Sequence, residues 1–297
     1  MRVTFNTGFA DTMHAINTAS EQLLQRQREV ASGRRVHVAS DDPAAALGIA
    51  AEKTETRVLD SYIHAGDSAG SRLLVVDSVL TDLVSALTRA QTQAAAGRNS
   101  QLSQTQRDAT ALAILGERDA IFSTVNTQYQ GTYLFAGAKV TTPPYTRTGG
   151  VISAYQGDTN IVSVDVSRSQ AVAVTLDGNA VLRGSDPADV FAVLTNLASA
   201  VQSGDMAGID QGMSDLQRAF ERVTQAQSRV GTDLAGLSEV RSRLDTARRA
   251  SDTRRSSLED ANLAESISGM TSAARALEAA LGALSRANRV SLLDYLK

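Results

Sequence analysis

The hydrophobic pattern is most regular toward the end of the chain. From Ala261 to Lys297 two rows interleave at spacings of three and four: Leu263, Met270, Leu277, Leu284, Ser291, and Ile267, Ala274, Leu281, Asn288, Tyr295. Both fall on one side of an α-helix and form a coiled-coil seam. A single helix cannot bury such a seam, so this one requires a partner helix or a partner molecule. The remaining face is small or polar, and the stretch Leu292-Leu293-Asp294-Tyr295-Leu296 is an apolar, adhesive end.

A weaker counterpart lies near the start, where Phe9, Ile16, Leu23 and Val30 stand seven apart with Met13 in a second row that Ser20 and Gln27 interrupt. This helix ends at Ser32-Gly33, with Gly33 suited to a left-handed cap. After the connection Arg34–Ser40, Asp42 and Pro43 start a second helix, as a carboxylate cap followed by proline at the first helical position; Asp41 is placed opposite Arg34 and Arg35. Helical periodicity continues to about Ala96, with Ala69, Leu73, Val76, Leu80, Leu83, Leu87, Ala90 and Ala94 on one face. A further helix is predicted from Ser103 to Tyr129.

The pattern changes after Gly131. Thr132–Gly137 is β-prone, Pro143-Pro144 forbids helix, and short β runs follow at Val151–Tyr155, Ile161–Val166 and Val172–Leu176. Asp177-Gly178 predicts a hairpin leading into Ala180–Leu182. Asp186-Pro187 predicts a capped helix start, with the helix running to about Ser203. The longest run then carries Ile209, Met213, Leu216, Phe220, Val223, Gln227, Val230, Leu234, Leu237, Arg241 and Leu244; from Met206 to Ser251 it would be about 70 Å long. The fold class read from this is mainly α: a long antiparallel helical rod or coiled-coil bundle built from both chain ends, with a small β-rich insertion. Three regions are expected: 1–43 with 255–297 as a terminal coiled coil, 44–135 with 206–254 as the helical rod, and 136–205 as a β-rich outer domain with one helix. The central seams are expected to close within the chain. The two end helices bury too little to offset their ordering cost and are expected to order in an assembly.

Composition narrows the function. A net charge of −3 without a basic tract does not suit a nucleic-acid binder. No stretch approaches the ~20 apolar residues of a membrane span. Absence of cysteine excludes disulfides and thiolate metal sites, and no signal-peptide run precedes the first helix. His14, His37 and His64 occur singly, without metal-ligand spacing, and Asp42 of the Asp41-Asp42 pair is accounted for as a cap. No catalytic set, cofactor site or metal site is read.

Several motifs carry a resemblance. Ala31-Ser32-Gly33-Arg34-Arg35-Val36 with Ala39-Ser40-Asp41-Asp42-Pro43-Ala44-Ala45, Tyr129–Gly137, Tyr155-Gln156-Gly157-Asp158, Arg255–Glu265 and Ser291–Leu296 together resemble the flagellin family of bacterial axial proteins, and Pro43 favours its hook–filament junction branch. Asn262, where the family often has Asp, departs from the pattern, and His37 has no evident counterpart. The resemblance implies a non-enzymatic subunit, exported through the flagellar type III apparatus without a cleaved signal peptide. It implies self-assembly of the terminal helices into a short tubular ring outside the cell, between hook and filament. Implied partners are other copies of itself, the adjacent hook-associated protein, flagellin, and a cytosolic export chaperone at the C-terminal segment. The assembly interface is placed at Phe9, Met13, Ile16, Leu23, Val30, Leu263, Ile267, Met270, Leu277, Leu281, Leu284, Leu292 and Leu293, with Arg34, Asp41, Asp42 and Pro43 as cap and loop. The alternatives are flagellin itself, which the Tyr133–Gly137 stretch opposes, and a cytosolic coiled-coil signalling module.

Overall fold

The structure is a computed structural model that describes residues 5–294, with side chains described over residues 10–286. Its described helices are α1 (Phe5–Ser32), α2 (Pro43–Gly97), α3 (Gln104–Val125), α4 (Gly178–Leu182), α5 (Val190–Ser203), α6 (Met206–Glu259) and α7 (Leu263–Asp294). Between α3 and α4 lie β1 (Gln128–Tyr129), β2 (Thr132–Tyr133), β3 (Arg147–Thr148), β4 (Val151–Ile152), β5 (Ser163–Ser167) and β6 (Gln170–Ala173), paired as three antiparallel hairpins. The mainly helical fold class stands, with long helices from both chain ends pairing antiparallel. The chain forms two compact units, one of residues 59–246 and one of residues 1–58 with 247–297.

The first unit has one large apolar core. Leu73, Leu80, Leu83 and Leu87 of α2 meet Ile209, Leu216, Val223 and Val230 of α6, with Ile114 and Ile121 of α3 and Leu194 and Leu197 of α5 closing the layer. The central seams thus close within the chain. Even the polar members of the α6 row find partners on α2: Gln227 donates to Thr81 at 2.9 Å, and Arg241 pairs with Asp67. Pro43 opens α2, and the other three prolines lie outside the helices.

Four local expectations are corrected. First, α3 ends at Val125 rather than Tyr129, because Asn126 breaks the ladder: its amide donates to Phe122 O and its side-chain carbonyl accepts from Tyr145 N. Tyr129 instead enters a hairpin whose turn, Gln130-Gly131, has both φ angles positive (50° and 77°). That combination favours a tight primed turn. Second, Asp177-Gly178 is not a hairpin turn. Asp177 caps α4 by accepting from Asn179 N at 2.8 Å, so Ala180–Leu182 is helical, and the β5–β6 hairpin turns earlier, between Ser167 and Gln170. Third, Asp186 does not cap α5. Arg218 and Arg222 of α6 hold its carboxylate, and Asp189 caps the helix instead, accepting from Ala192 N. Fourth, α6 runs on past Ser251 to Glu259.

The two β motifs of the sequence meet. The Tyr155 hydroxyl lies 3.0 Å from the Phe135 carbonyl and 3.1 Å from that of Asp158, and Gly178 N also donates to Phe135 O. A Cβ at Gly157 would run into that hydroxyl, and one at Gly137 into the Asp158 carbonyl. Arg72 of α2 ties the hairpins down with bonds to Val174 O (2.6 Å) and Thr132 Oγ1 (3.0 Å).

Candidate assembly interface

The second unit contains every residue singled out as an interface. α1 and α7 lie antiparallel, so that Glu29 meets Ser266 and Arg26 lies over Gly269. The contact uses one flank of each helix. On α1, Ala19 is buried and Ile16, Leu23 and Val30 are half-buried; on α7, Ser266 and Ala273 are buried and Met270, Leu277 and Leu284 are half-buried. Small residues at 266, 269 and 273 let the helices approach, so the stripe containing them turns toward α1. The neighbouring stripe does not. Its Ile267 and Leu281 remain 48% and 50% exposed; Leu263, at the first turn of the other row, is 50% exposed, and Met13 and Leu24 of α1 are likewise uncovered. Phe9, Leu292 and Leu293 lie in the helical ends, and their side chains fall outside the described residues.

The loop after α1 is pinned to the end of α6. Gly33, at φ 70°, donates to Glu29 O and accepts from Ala261 N at 2.9 Å, while Arg35 N donates to Glu259 O at 2.8 Å. Val36 packs on Ala45 and Ile49 with Leu258 alongside, and Gly48 leaves room for Leu258 where a Cβ would touch it at 2.8 Å. Asp42 caps α2 as expected, accepting from Ala45 N at 2.9 Å, and its second oxygen takes Arg35 at 3.0 Å. Those two bonds, the backbone one first, hold its carboxyl below the usual range. Asp41 is not opposite Arg34 and Arg35. It accepts the N–H groups of His37 and Val38, at 2.9 and 3.1 Å, which lower its pKa and close the loop on itself.

Two buried carboxylates escaped the sequence reading. Glu29, 2% exposed, accepts from Gln25, Arg26 and Ser266 at 3.2, 2.9 and 3.1 Å. Glu259, also 2% exposed, gathers three cations: Arg34 at 3.2 Å and Lys53 at 3.4 Å on one oxygen, and Arg255 at 2.8 Å on the other. Burial pushes the Glu259 carboxyl up, but Arg255, Lys53 and Arg34 outweigh it, so the net shift is downward. In the chain Lys53 stands 206 positions before Glu259. No local signal announces that Arg34 and Lys53 converge on it.

Among the described residues no group of three histidine, cysteine or acidic side chains could hold a metal ion, and no helix is long and apolar enough to cross a membrane. The arrangement suits helix-to-helix association.

Comparison with known proteins agrees. Residues 4–140 match the N-terminal helical region of bacterial flagellin, and residues 213–296 match its C-terminal helical region. Flagellar hook-associated protein 3 of Escherichia coli K12 is 26% identical over 321 aligned positions that span the whole of both chains. Among solved structures, a flagellar hook-associated protein of Vibrio parahaemolyticus superposes with a TM-score of 0.69 at 18% identity, over 74% of this chain and all of that one. The flagellar junction protein FlgL of Legionella pneumophila superposes with a TM-score of 0.61 at 14% identity, over 72% of this chain and all of that one. The two matched regions together take in most of the chain, which belongs to the bacterial flagellin family of flagellar structural proteins.

Proposed function

We propose that this chain is the subunit that joins the flagellar hook to the filament, assembling with copies of itself into a short tube. The observation that carries this reading is the second stripe of α7. Ile267 and Leu281 are half exposed, as is Leu263 at the first turn, although α1 already covers the neighbouring flank. A helix pair with one apolar stripe closed and one open is complete only when another chain lies against it. Hook-associated protein 3 of Escherichia coli is similar at 26% identity and two Listeria flagellins at 22% and 20% over nearly the same length, which supports the junction over the bulk of the filament. In this reading residues 1–43 and 255–297 form the tube, residues 44–135 and 206–254 the surrounding rod, and residues 136–205 the outer domain. The neighbours are the adjacent hook-associated protein on one side and flagellin on the other, and a cytosolic chaperone holds the C-terminal segment before export.

Deletion of the gene tests it. Intact hooks, unpolymerised flagellin in the medium and lost motility are expected, with restoration by the wild-type gene but not by one carrying Leu281→Asp. Filaments of normal length in the deletion strain would overturn the assignment.

A further inference from the structure

We infer that the groove between loop 33–42 and the first turns of α2 receives the Leu292–Leu296 segment of a second copy of this chain. The inference rests on the self-assembly proposed above. The groove encloses about 230 Å³; Val36, Ala46 and Ile49 form its apolar floor, and Val38, 54% exposed, stands at its lip. Arg34 and Lys53 form the rim, their side chains 53% and 45% exposed. Both lean on the same Glu259 oxygen, at 3.2 and 3.4 Å, because Arg255 occupies the other. A guanidinium has five N–H donors and an ammonium three, so one shared acceptor leaves both with donors to spare. Such a surface takes apolar side chains accompanied by a carboxylate.

Leu292-Leu293-Asp294-Tyr295-Leu296 has that chemistry, with Asp294 as the one acid among leucines and a tyrosine. The chain's own Asp294, where the described helix ends, does not reach the groove. α7 begins at Leu263, beside the Ala261 N that bonds to Gly33 O, and it continues as a helix to Asp294. At ~1.5 Å per residue its far end is about 46 Å from the groove. The occupant therefore comes from another copy, and each chain offers one groove and one segment. A head-to-tail contact of this kind propagates around or along a tube.

The chain contains no cysteine, so disulfide trapping reads this contact without background. Chains carrying Val38→Cys are mixed with chains carrying Leu293→Cys, added to hooks that lack the subunit, and oxidised. A product of twice the 31.3 kDa chain mass is expected, and none when Leu74→Cys replaces Val38→Cys. Tyr295→Cys, as a second partner for Val38→Cys, guards against one unfavourable geometry, and circular dichroism checks that each variant folds. Lys53→Ala or Asp294→Asn, each combined with the trap, should reduce its yield several-fold. Chains that add to hooks and nucleate flagellin without forming either product would overturn the docking and leave the junction role standing. Wild-type chains that do not add to hooks at all would overturn the junction role, and the docking with it.

Discussion

The two units of this molecule fill their interiors differently. In residues 59–246 the enclosed side chains are almost entirely apolar, Leu80, Leu83, Ile114, Leu194 and Leu216 among them, and Thr175 is the buried polar side chain there. The unit that holds the chain ends encloses Ala19, Val36, Ala45, Ile49 and Ala273, and beside these small residues it buries Glu29, Ser251, Glu259 and Ser266. Apolar burial is non-directional and grows with area, so a thick core stabilises itself. Buried carboxylates act through geometry: matched with cations and hydroxyls they fix one arrangement, while adding little net stability. The first unit is thus complete on folding. The second has its register set by polar contacts and leaves Met13, Leu24, Ile267 and Leu281 exposed.

The largest test of this contrast is cavity formation. Leu80→Ala should lower stability by about 2–5 kcal/mol in thermal or denaturant unfolding, whereas Leu281→Ala should stay within about 0.5 kcal/mol. Similar losses at the two sites would erase the distinction. Carboxylates placed on the two stripes of α7 sharpen it. Leu277→Asp, half-buried against α1, should weaken the α1–α7 pair by roughly 1–3 kcal/mol, seen as faster hydrogen exchange along both helices. Leu281→Asp should leave exchange unchanged and yet stop added flagellin from polymerising on hooks. Loss of protection in both variants would mean that both stripes are already closed in the single chain.

A smaller effect is expected at the charged cluster. Glu259→Gln leaves Arg34, Lys53 and Arg255 around a neutral amide, at a cost of about 1–3 kcal/mol for the charged hydrogen bonds, toward the lower end because Arg34 and Lys53 are half exposed. The pH dependence has a definite sign. The folded carboxyl is held below its ordinary value of 4.5, so its contribution is full above that value and vanishes as pH falls through the lower folded one. Melting curves of wild type and Glu259→Gln should therefore differ at neutral pH and converge in acid; a constant gap would place the stabilisation elsewhere. The smallest effect concerns two tyrosines. Tyr145 is buried and its hydroxyl has no partner among the described residues, so Tyr145→Phe should be neutral or stabilising, within about 1 kcal/mol. Tyr155→Phe removes the bond to the Phe135 carbonyl and should cost about 0.5–1.5 kcal/mol; the opposite ranking in unfolding experiments would refute this account of the β-rich region.

Much was determined by the sequence alone because its cause is local. The long helices, the left-handed Gly33, the Asp42-Pro43 start of α2 and the closure of the central seams all follow from side-chain period, cap chemistry and backbone preference. The misreadings share one physical origin, which is that short polar motifs have several uses. Asp-Gly serves a hairpin or a helix cap, and the bond from Asn179 N and the approach of Gly178 to Phe135 decide for the cap. Asp-Pro predicts a helix start at Asp186, but Arg218 and Arg222 claim its carboxylate from a distant helix, and Asp189 takes over the cap. The same holds for the interface. Heptad spacing names the apolar residues of α7, but two adjacent stripes satisfy it equally. Only packing decides between them: α1 settles where small residues at 266, 269 and 273 permit close approach, leaving Ile267 and Leu281 outside. The convergence of Arg34, Lys53 and Arg255 on Glu259 likewise belongs to the tertiary structure, because it unites charges far apart in the chain that a linear reading leaves in solvent.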